Sequence, residues 1–391
     1  MSSIKLLSMM KQKIVYCIPS LHYPSGMERV LTLKANYFAD ELGYDIYIIL
    51  TDNKEKKPYY QLSPKINVIN LDINFDDLWK KSILKKGFLY FYKQRLFKKR
   101  LSKALKDIRP DITISMLRRE INFINSIKDG SKKIGEIHFA RSHYRDMEFD
   151  GKRNPIKRFI SKLWMSQLIR ELNKLSLFVT LSNEDNEKWK EIERKKYIYN
   201  PLSFFPDKVS NCQSKQVIAV GRYTYQKGFD MLIDTWKIVS EKHPDWILKI
   251  YGGGKRSEFI KKRNSLGLDK TLFIEPSTDD IIDKYCESSV FVLSSRFEGF
   301  GMVITEAMAC GIPAVSFMCP SGPRDIIKDG EDGLLVENGN VEQLAEKICY
   351  LIENEEIRKE MGKKARVNVE RFKIEKIGKQ WKDTFESVLS K

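Results

Sequence analysis

Short apolar runs alternate with longer amphipathic stretches along the whole chain. In the first half the apolar runs predict strands at residues 13–18, 45–50, 66–71, 111–115, 133–138 and 177–181. Most stretches between them carry apolar residues at helical spacing, as in the segment that contains Met27, Val30, Leu31 and Phe38. This alternation of strand and helix predicts an α/β domain with a parallel sheet covered on both faces.

The alternation is interrupted at residues 200–206 and then starts again. This segment, NPLSFFP, contains two prolines and no periodicity, which favours a hinge. Beyond it the pattern predicts strands at residues 216–220, 246–251, 272–275, 290–293 and 313–317, and terminal helices at 341–353, 355–371 and 374–389. We therefore predict two doubly wound Rossmann-like domains that face each other across a ligand cleft. Their predicted extents are residues 1–200 and 201–373, and a helix over 374–391 packs back toward the N-terminal domain.

Two glutamates eight positions apart, Glu298 and Glu306, bracket the sequence EGFGMVITE after the predicted strand 290–293. Its glycines indicate a strand-to-helix turn, with Glu298 in the turn and Glu306 in the first turn of the helix. Backbone N–H groups and the helix dipole favour an anion at such a turn. A phosphate on the backbone and hydroxyl groups on the two carboxylates are what a nucleotide sugar offers. The alternative is that both acids only stabilise the start of the helix.

A second motif, GRYTYQKG at residues 221–228, places Arg222 after a predicted strand and Lys227 before a predicted helix. Both cations could neutralise a diphosphate leaving group, because charge-assisted hydrogen bonds contribute roughly 1.5–3 kcal/mol each. The chain contains no Asp-x-Asp triplet that would hold a divalent metal. We therefore expect no metal and no cofactor. The alternative is two surface cations at a helix entrance.

Together with CPSGPR at 319–324 and DGEDGLL at 329–335, these motifs resemble the retaining glycosyltransferases of family four, which have the GT-B fold. The resemblance implies a metal-independent transferase that moves a sugar from a nucleotide-sugar donor, UDP-hexose or UDP-N-acetylhexosamine. The implied acceptor is a glycan or a polyprenyl-diphosphate-linked oligosaccharide in surface polysaccharide or glycoconjugate synthesis. The chain departs from the family pattern at Ser25, Gly253 and Met318.

The resemblance also implies roles in the second half of the chain. Glu306 would bind the ribose hydroxyls, and Glu298 would hold the donor sugar. Arg222 and Lys227 would bind the diphosphate. The amides that would cradle phosphate oxygens are those of Phe300, Gly301 and Met302.

In the first half, the resemblance implies that Gly26 lets the first loop approach the diphosphate from the opposite domain. It places His138 near the reacting carbon of the donor sugar, with His143 as the alternative. Retention would follow from acceptor attack on the face that the diphosphate leaves, with the departing phosphate accepting the proton. The protein would then act by positioning, electrostatic stabilisation and hinge closure.

The net charge of +17 lies wholly in the first half, because residues 1–200 hold 40 Lys or Arg and 23 Asp or Glu, whereas the remainder holds 29 of each. Residues 80–106 contain eleven cations, no acid and several aromatics, and residues 152–170 add six cations. This pattern predicts docking on an anionic membrane surface, peripherally on its cytoplasmic face. A solvated helical face is the alternative. Single-stranded nucleic acid is a weaker one, because no nucleic-acid motif is present, and we expect no such partner.

Several classes of protein are disfavoured. No apolar run approaches the ~18 residues of a membrane-spanning helix, and no signal peptide is evident at the N-terminus, where Met10 is an alternative start. Six scattered cysteines and four histidines lack zinc-ligand spacing, which fits reduced thiols in the cytoplasm. Two further functions stay open: a nucleotide-sugar epimerase on the same fold, and a non-catalytic basic membrane-associated interaction protein.

Overall fold

The computed structural model describes residues 11–52, 54, 56–80, 83–144 and 155–390 of the chain. The chain forms two compact units. The first comprises residues 1–181, 186–201 and 374–391, and the second comprises 182–185 and 202–373. Each is a doubly wound α/β unit, which confirms the predicted fold class.

Within the described residues, the first unit contains a parallel sheet of seven strands. The strands are β1 (Lys13–Ile18), β2 (Asp45–Leu50), β3 (Asn67–Asn70), β4 (Ile112–Ser115), β5 (Lys132–Glu136), β6 (Leu177–Thr180) and β7 (Lys195–Tyr197). Their order is β3-β2-β1-β4-β5-β6-β7. The winding direction reverses between β1 and β4, and ligands bind beyond the carboxyl ends of the strands at such a reversal.

Helices cover both faces of this sheet. They are α1 (Gly26–Asp40), α2 (Ile83–Ile108), α3 (Pro155–Leu172) and α4 (Asn183–Lys188). One face packs against α2 and α3 through a core that includes Phe97, Leu101 and Leu168. The other face packs against α1 through Leu31 and Phe38, which fall on one side of that helix.

The second unit contains a parallel sheet of six strands within the described residues. They are β8 (Gln216–Val220), β9 (Ile247–Tyr251), β10 (Leu272–Glu275), β11 (Val290–Leu293), β12 (Ala314–Phe317) and β13 (Gly333–Val336). Their order is β10-β9-β8-β11-β12-β13, so the winding reverses between β8 and β11. Its helices are α5 (Phe229–Lys242), α6 (Ser257–Ser265), α7 (Ile281–Cys286), α8 (Met302–Ala309), α9 (Pro323–Ile326), α10 (Val341–Glu353) and α11 (Glu355–Asn368).

Two edge strands, β7 and β13, were not predicted from the sequence. β7 is three residues long with the sequence KKY, so it lacks the apolar signal of a buried strand. β13 begins at Gly333, where a Cβ would lie 2.6 Å from the Ala314 carbonyl oxygen of the neighbouring strand. The absence of a side chain at Gly333 permits this close strand pairing.

Residues 182–185 belong to the second unit, although the predicted boundary assigns them to the first domain. The backbone N–H of Asn183 donates to Asp325 (3.0 Å), and the Ser321 hydroxyl donates to Asp185 (3.2 Å). These hydrogen bonds hold the short segment on α9 and on the loop before it. No sequence pattern predicts that the chain enters the second unit at this point and then returns to the first.

The last helix, α12 (Ile374–Leu389), belongs to the first unit and packs against α1. Its buried face is formed by Ile377, Trp381, Phe385 and Val388, at the spacing of an amphipathic helix. Gly378 allows the close approach to α1, because a Cβ there would lie 2.3 Å from the Tyr37 ring.

Among the described residues, no helix combines the length and the apolar character needed to cross a membrane. The alternative start Met10, and residues 81–82 and 152–154 of the two basic segments, lie outside the described part of the chain.

We predict that Phe385→Ala destabilises the first unit by about 3–5 kcal/mol, because it removes a fully buried ring that packs edge-on against Phe38. Urea unfolding, together with hydrogen exchange of the α1 amides, measures the effect. The matched control is Lys382→Ala on the exposed face of the same helix, which should change the free energy of unfolding by less than about 0.5 kcal/mol. Equal unfolding curves for both variants would contradict the assignment of α12 to this core.

Candidate active site

Two loops of the second unit begin at the carboxyl edge of its sheet, on either side of the winding reversal. The basic loop, residues 221–228, follows β8, and the glycine loop, residues 294–301, connects β11 to α8. Because β8 and β11 are hydrogen-bonded neighbours, the two loops start side by side. They carry most of the donor-binding residues that the resemblance implies.

Hydrogen bonds join the two loops directly. The backbone N–H of Arg296 donates to the carbonyl of Gln226 (2.8 Å), and the Gln226 side-chain amide donates to the carbonyl of Phe297 (3.1 Å). The Ser294 hydroxyl donates to the carbonyl of Lys227 (3.0 Å). The arrangement therefore does not depend on a ligand to bring the loops together.

The Arg296 guanidinium reinforces this junction with a two-pronged ion pair to Asp230 near the start of α5 (2.8 and 2.6 Å). Burial raises the pKa of Asp230, but the hydrogen bonds and the charge of Arg296, with smaller contributions from a backbone N–H and Lys262, together hold it below its usual value. Arg296 also lies 4.0 Å from the centre of the Tyr225 ring. The pair fixes the end of the basic loop in one geometry.

The glycines at the two ends of the GRYTYQKG motif allow close contacts, and at Gly228 the geometry requires glycine. Gly228 has φ +62°, and a Cβ there would lie 2.0 Å from the Ser294 carbonyl oxygen. A Cβ on Gly221 would lie 3.1 Å from the aliphatic stem of Lys227. The absence of side chains lets Lys227 fold back across its own loop and lets the loop contact β11.

Lys227 and Glu298 form the central ion pair of the site. The Lys227 ammonium lies 2.7 Å from Glu298 Oε1, which also accepts a hydrogen bond from the Ser295 hydroxyl (2.6 Å). The two side chains are 13% and 7% exposed. An ammonium has three N–H donors, so Lys227 can hold Glu298 and still donate to an anionic ligand.

Arg222 is exposed at the end of β8, and its guanidinium makes no hydrogen bond or ion pair with the described residues. Gly301 has φ +98° and precedes the first residue of α8, Met302. The backbone N–H groups of Gly301 and Met302 have no acceptor in the described part of the chain. A free guanidinium and a helix start are both suited to bind phosphate oxygens.

Glu306 is the fifth residue of α8, so it lies just beyond the first turn in which it was predicted. The helix begins one residue earlier than the sequence suggested, because Gly301 adopts the left-handed conformation that ends the loop. Glu306 is 4% exposed. Its two oxygens accept hydrogen bonds from the Ser203 hydroxyl (2.8 Å) and the Tyr285 hydroxyl (3.2 Å).

The loop that contains the CPSGPR sequence packs against the glycine loop. The carbonyl of Pro320 accepts from the Glu298 N–H (3.1 Å), and a Cβ on Gly322 would lie 1.8 Å from the Phe300 carbonyl oxygen. Cys319 is fully buried, and burial together with the Glu298 carboxylate raises the pKa of its thiol. Cys319 therefore stays a neutral packing residue and not a nucleophile.

The other two predicted site residues lie in the first unit. Gly26 is the first residue of α1, in the connection that follows β1. His138 lies two residues beyond the end of β5, and its Nε2 is 2.9 Å from Glu136 Oε1. The side chain of His143 falls outside what the structure describes. The contacts of Gly26 and His138 with a donor therefore stay predictions.

Three polar side chains that contact the two acids were not found from the sequence. They are Ser203, Tyr285 and Ser295. Ser203 lies in the hinge segment and Tyr285 in the short helix α7, far from the motifs along the chain. Of the three, only Ser295 lies close to a motif along the chain, three residues before Glu298. The described residues contain no group of three His, Cys, Asp or Glu side chains that could hold a metal ion.

We predict that Gly228→Ala destabilises the second unit more than Gly267→Ala. Both glycines have left-handed backbones, φ +62° and +67°, so both variants carry a strain of roughly 1–2 kcal/mol. Only at position 228 does a Cβ meet a neighbouring atom, and overpacking of this kind adds roughly 1–3 kcal/mol. Chemical unfolding of both variants isolates the contact with Ser294. Equal destabilisation would show that the basic loop can move away from β11 at little cost.

Known proteins resemble this chain in sequence and in fold. Residues 203–368 match the family model described as Glycosyl transferases group 1. The chain is 29% identical over 378 residues to an uncharacterized glycosyltransferase of Haemophilus influenzae, covering 95% of this chain and 99% of that protein. It is 27% identical over 295 residues to a poly(ribitol-phosphate) α-N-acetylglucosaminyltransferase of Staphylococcus aureus, covering 73% and 57% of the two chains.

The fold also matches solved structures. A crystal structure of a TarM variant from S. aureus, in complex with fondaparinux, α-GlcNAc-glycerol and UDP, superposes with a TM-score of 0.77 at 18% identity. The match covers 96% of this chain and 99% of that one. A group 1 sequence match that contains Lys227, Glu298 and Glu306 thus coincides with a shared two-domain architecture. Residues 203–368 therefore carry the sequence pattern of the group 1 glycosyltransferases, and the chain has the GT-B fold.

Proposed function

We propose that the chain is a retaining, metal-independent glycosyltransferase that uses a UDP-linked sugar to extend a cell-surface glycan or a lipid-linked precursor. The observation that carries the proposal is the Lys227–Glu298 ion pair at the winding reversal of the second sheet, beside a free Arg222. Ligands of doubly wound sheets bind at this edge. The pair supplies a cation and a carboxylate at one point, as a sugar diphosphate requires.

The diphosphate would be bound by cations and peptide dipoles of this unit. Arg222 offers a planar guanidinium for two phosphate oxygens, and Lys227 offers its remaining N–H donors. The amides of Gly301 and Met302 add donors at the start of α8. These groups would stabilise the charge that develops on the leaving phosphate, which is the task that a divalent metal performs in other transferases.

The two acids would bind hydroxyl groups. Glu298 Oε1 is occupied by Lys227 and Ser295, and its Oε2 has no partner among the described residues. Oε2 can therefore accept from a sugar hydroxyl and hold the ring. Glu306 would accept from the ribose hydroxyls, with Ser203 and Tyr285 keeping its carboxylate in place.

Similar proteins support UDP as the nucleotide of the donor and a surface polymer as the acceptor. The TarM structure contains UDP and α-GlcNAc-glycerol. Curated relatives include an amylovoran biosynthesis glycosyltransferase of Erwinia amylovora and a poly(glycerol-phosphate) α-glucosyltransferase of Bacillus subtilis. We propose by analogy that the acceptor is a growing surface polymer or its polyprenyl-diphosphate-linked precursor.

The reaction would proceed with retention. The acceptor hydroxyl attacks the anomeric carbon on the face that the diphosphate leaves, and the departing phosphate oxygen takes the hydroxyl proton. No side chain has to act as a base, so the second unit contributes positioning and charge stabilisation. The roles of Gly26 and His138 toward the donor, which the resemblance implies, belong to this proposal.

We expect Lys227→Ala and Glu298→Gln each to lower the rate of sugar transfer, or of donor hydrolysis without an acceptor, at least about 100-fold. Each variant removes a contact that the transition state needs. UDP release from a panel of UDP- and GDP-sugars measures turnover, and the anomeric configuration of the product reports retention. The control is Lys215→Ala, an exposed lysine paired with Asp245 on the same unit, which should leave turnover unchanged. Full activity of either site variant would remove these roles.

The same assay tests independence from metal. A chelator should leave turnover unchanged, because fixed cations do the work of the ion. Loss of activity with the chelator and recovery with magnesium would overturn that part of the proposal.

We also propose that the first unit docks on an anionic membrane surface. α2 exposes Phe88 (78%), Phe91 (69%) and Tyr92 (59%), and α3 exposes Phe159, Leu163 and Trp164. Both helices pack on the same face of the sheet, and their exposed faces also carry many cations, including Arg95, Lys98, Lys99, Arg158 and Lys162. Aromatic side chains between cations suit the interface of an anionic bilayer better than water alone.

We expect Phe88→Ser/Phe91→Ser to weaken binding to vesicles with anionic lipid at least about tenfold, because two exposed rings no longer insert. Co-sedimentation at low and high salt measures the affinity. The control is Val367→Ser, an apolar residue of the second unit that is 68% exposed. Binding that ignores lipid charge, salt and both phenylalanines would show that this face is only solvated.

A further inference from the structure

The first unit contains a buried cluster of three titratable side chains. It consists of Lys34 on α1, Glu136 on β5 and His138. The side chains of Lys34 and Glu136 are each 1% exposed, and that of His138 is 5% exposed. This cluster is separate from the loops of the second unit that bind the donor in the proposed function.

One carboxylate oxygen organises the cluster. Glu136 Oε1 accepts from the Lys34 ammonium and lies 2.9 Å from His138 Nε2. On its other side the ammonium lies 4.4 Å from the centre of a Trp381 ring and 5.8 Å from that of Tyr16. Trp381 belongs to α12, so the C-terminal helix helps to enclose the charge.

Stability does not explain why these charges are inside. A buried ion pair gains about as much as its desolvation costs, and apolar side chains of similar size often serve as well or better. This cluster also leaves Glu136 Oε2 and the Tyr16 hydroxyl buried without a hydrogen-bond partner among the described residues. Such atoms carry a cost of their own. Stability alone therefore gives no reason for this cluster to be charged.

The Glu136 carboxylate determines which nitrogen of the His138 ring donates a hydrogen bond. Burial alone would raise the pKa of Glu136, but Lys34 and His138 outweigh burial and bring it to about 2. An ionised carboxylate only accepts hydrogen bonds, so His138 Nε2 must carry the proton that it donates. In the neutral ring the other nitrogen, Nδ1, carries no proton. Nδ1 is then a hydrogen-bond acceptor, and it makes no hydrogen bond with the described residues.

We infer that Glu136 and Lys34 are positioning residues that hold His138 as the neutral Nε2–H tautomer, so that Nδ1 accepts a hydrogen bond from a hydroxyl group of the sugar substrate. The inference rests on the proposed function for the identity of that substrate. The tautomer itself follows from the contacts within the first unit.

The test uses the full-length protein with ¹⁵N-labelled histidine, in which long-range proton–nitrogen correlation distinguishes the two tautomers of each ring. His138→Gln assigns the signal among the four histidines. We expect the wild-type ring to be neutral with its proton on Nε2. A cationic ring, or a proton on Nδ1, at neutral pH overturns the inference.

The decisive variant is Lys34→Met/Glu136→Leu, which removes both charges together and leaves no unpaired ion in the core. We expect it to fold, to release His138 into a mixture of tautomers, and to lower kcat/KM about tenfold, the effect of one lost oriented hydrogen bond. Lys34→Met/Glu136→Gln keeps an acceptor oxygen and should retain more of the Nε2–H form. It also serves as the readout if the leucine variant does not fold.

The matched control is another buried ion pair on the same strand. Lys133 on β5 pairs with Asp129 at 2.6 Å, with side chains 9% and 1% exposed. Lys133→Met/Asp129→Leu should leave both the His138 tautomer and kcat/KM unchanged. If this control alters the His138 signal as strongly, the effect is a general disturbance of the sheet and the inference fails.

The two readouts separate this inference from the proposed function. If the tautomer depends on Glu136 but His138→Gln retains full transfer, the positioning stands and the contact with the sugar is overturned. If no nucleotide sugar is turned over by the wild type, the proposed function falls while the resonance experiment still decides the tautomer. If the leucine variant keeps both the Nε2–H tautomer and full activity, the pair is structural only.

Discussion

The second unit depends on the close contact between the basic loop and the end of β11. Gly228 can approach the Ser294 carbonyl only because it has no side chain and adopts a left-handed backbone. That contact sets the position of Lys227, whose ammonium then reaches Glu298. The parallel sheet supplies the frame, because its winding reversal makes β8 and β11 neighbours and brings their two loops to one edge.

Two lysine–glutamate pairs of the same chemistry have different consequences in this molecule. Lys227 and Glu298 are 13% and 7% exposed, so a ligand can reach the remaining donors and acceptors of the pair. Lys34 and Glu136 are each 1% exposed and closed in by Trp381, so their influence passes only through His138. Accessibility, and not residue type, decides whether such a pair is open to a ligand or can act only on neighbouring side chains.

Sequence patterns predicted the fold class and most strands, because parallel strands buried on both faces leave continuous apolar runs such as VFVL in β11. They missed β7, whose residues are mainly polar, and placed the start of α8 one residue too late because that start depends on the backbone of Gly301. The motifs placed Lys227 and Glu298 at one edge. The Lys34–Glu136 pair had no signal, since its partners are 102 positions apart.

The uneven charge of the chain connects these features. Residues 201–391 carry equal numbers of acids and bases, so in the proposed function Arg222 and Lys227 would act on the donor by direct contact and not through a long-range field. The surplus of +17 in residues 1–200 acts over a longer range, which is about 8 Å at physiological ionic strength. Such a field would attract anionic lipids and anionic precursors alike but could not orient a reacting sugar. Orientation requires short, buried contacts, and both Lys–Glu pairs supply them where the surface charge does not.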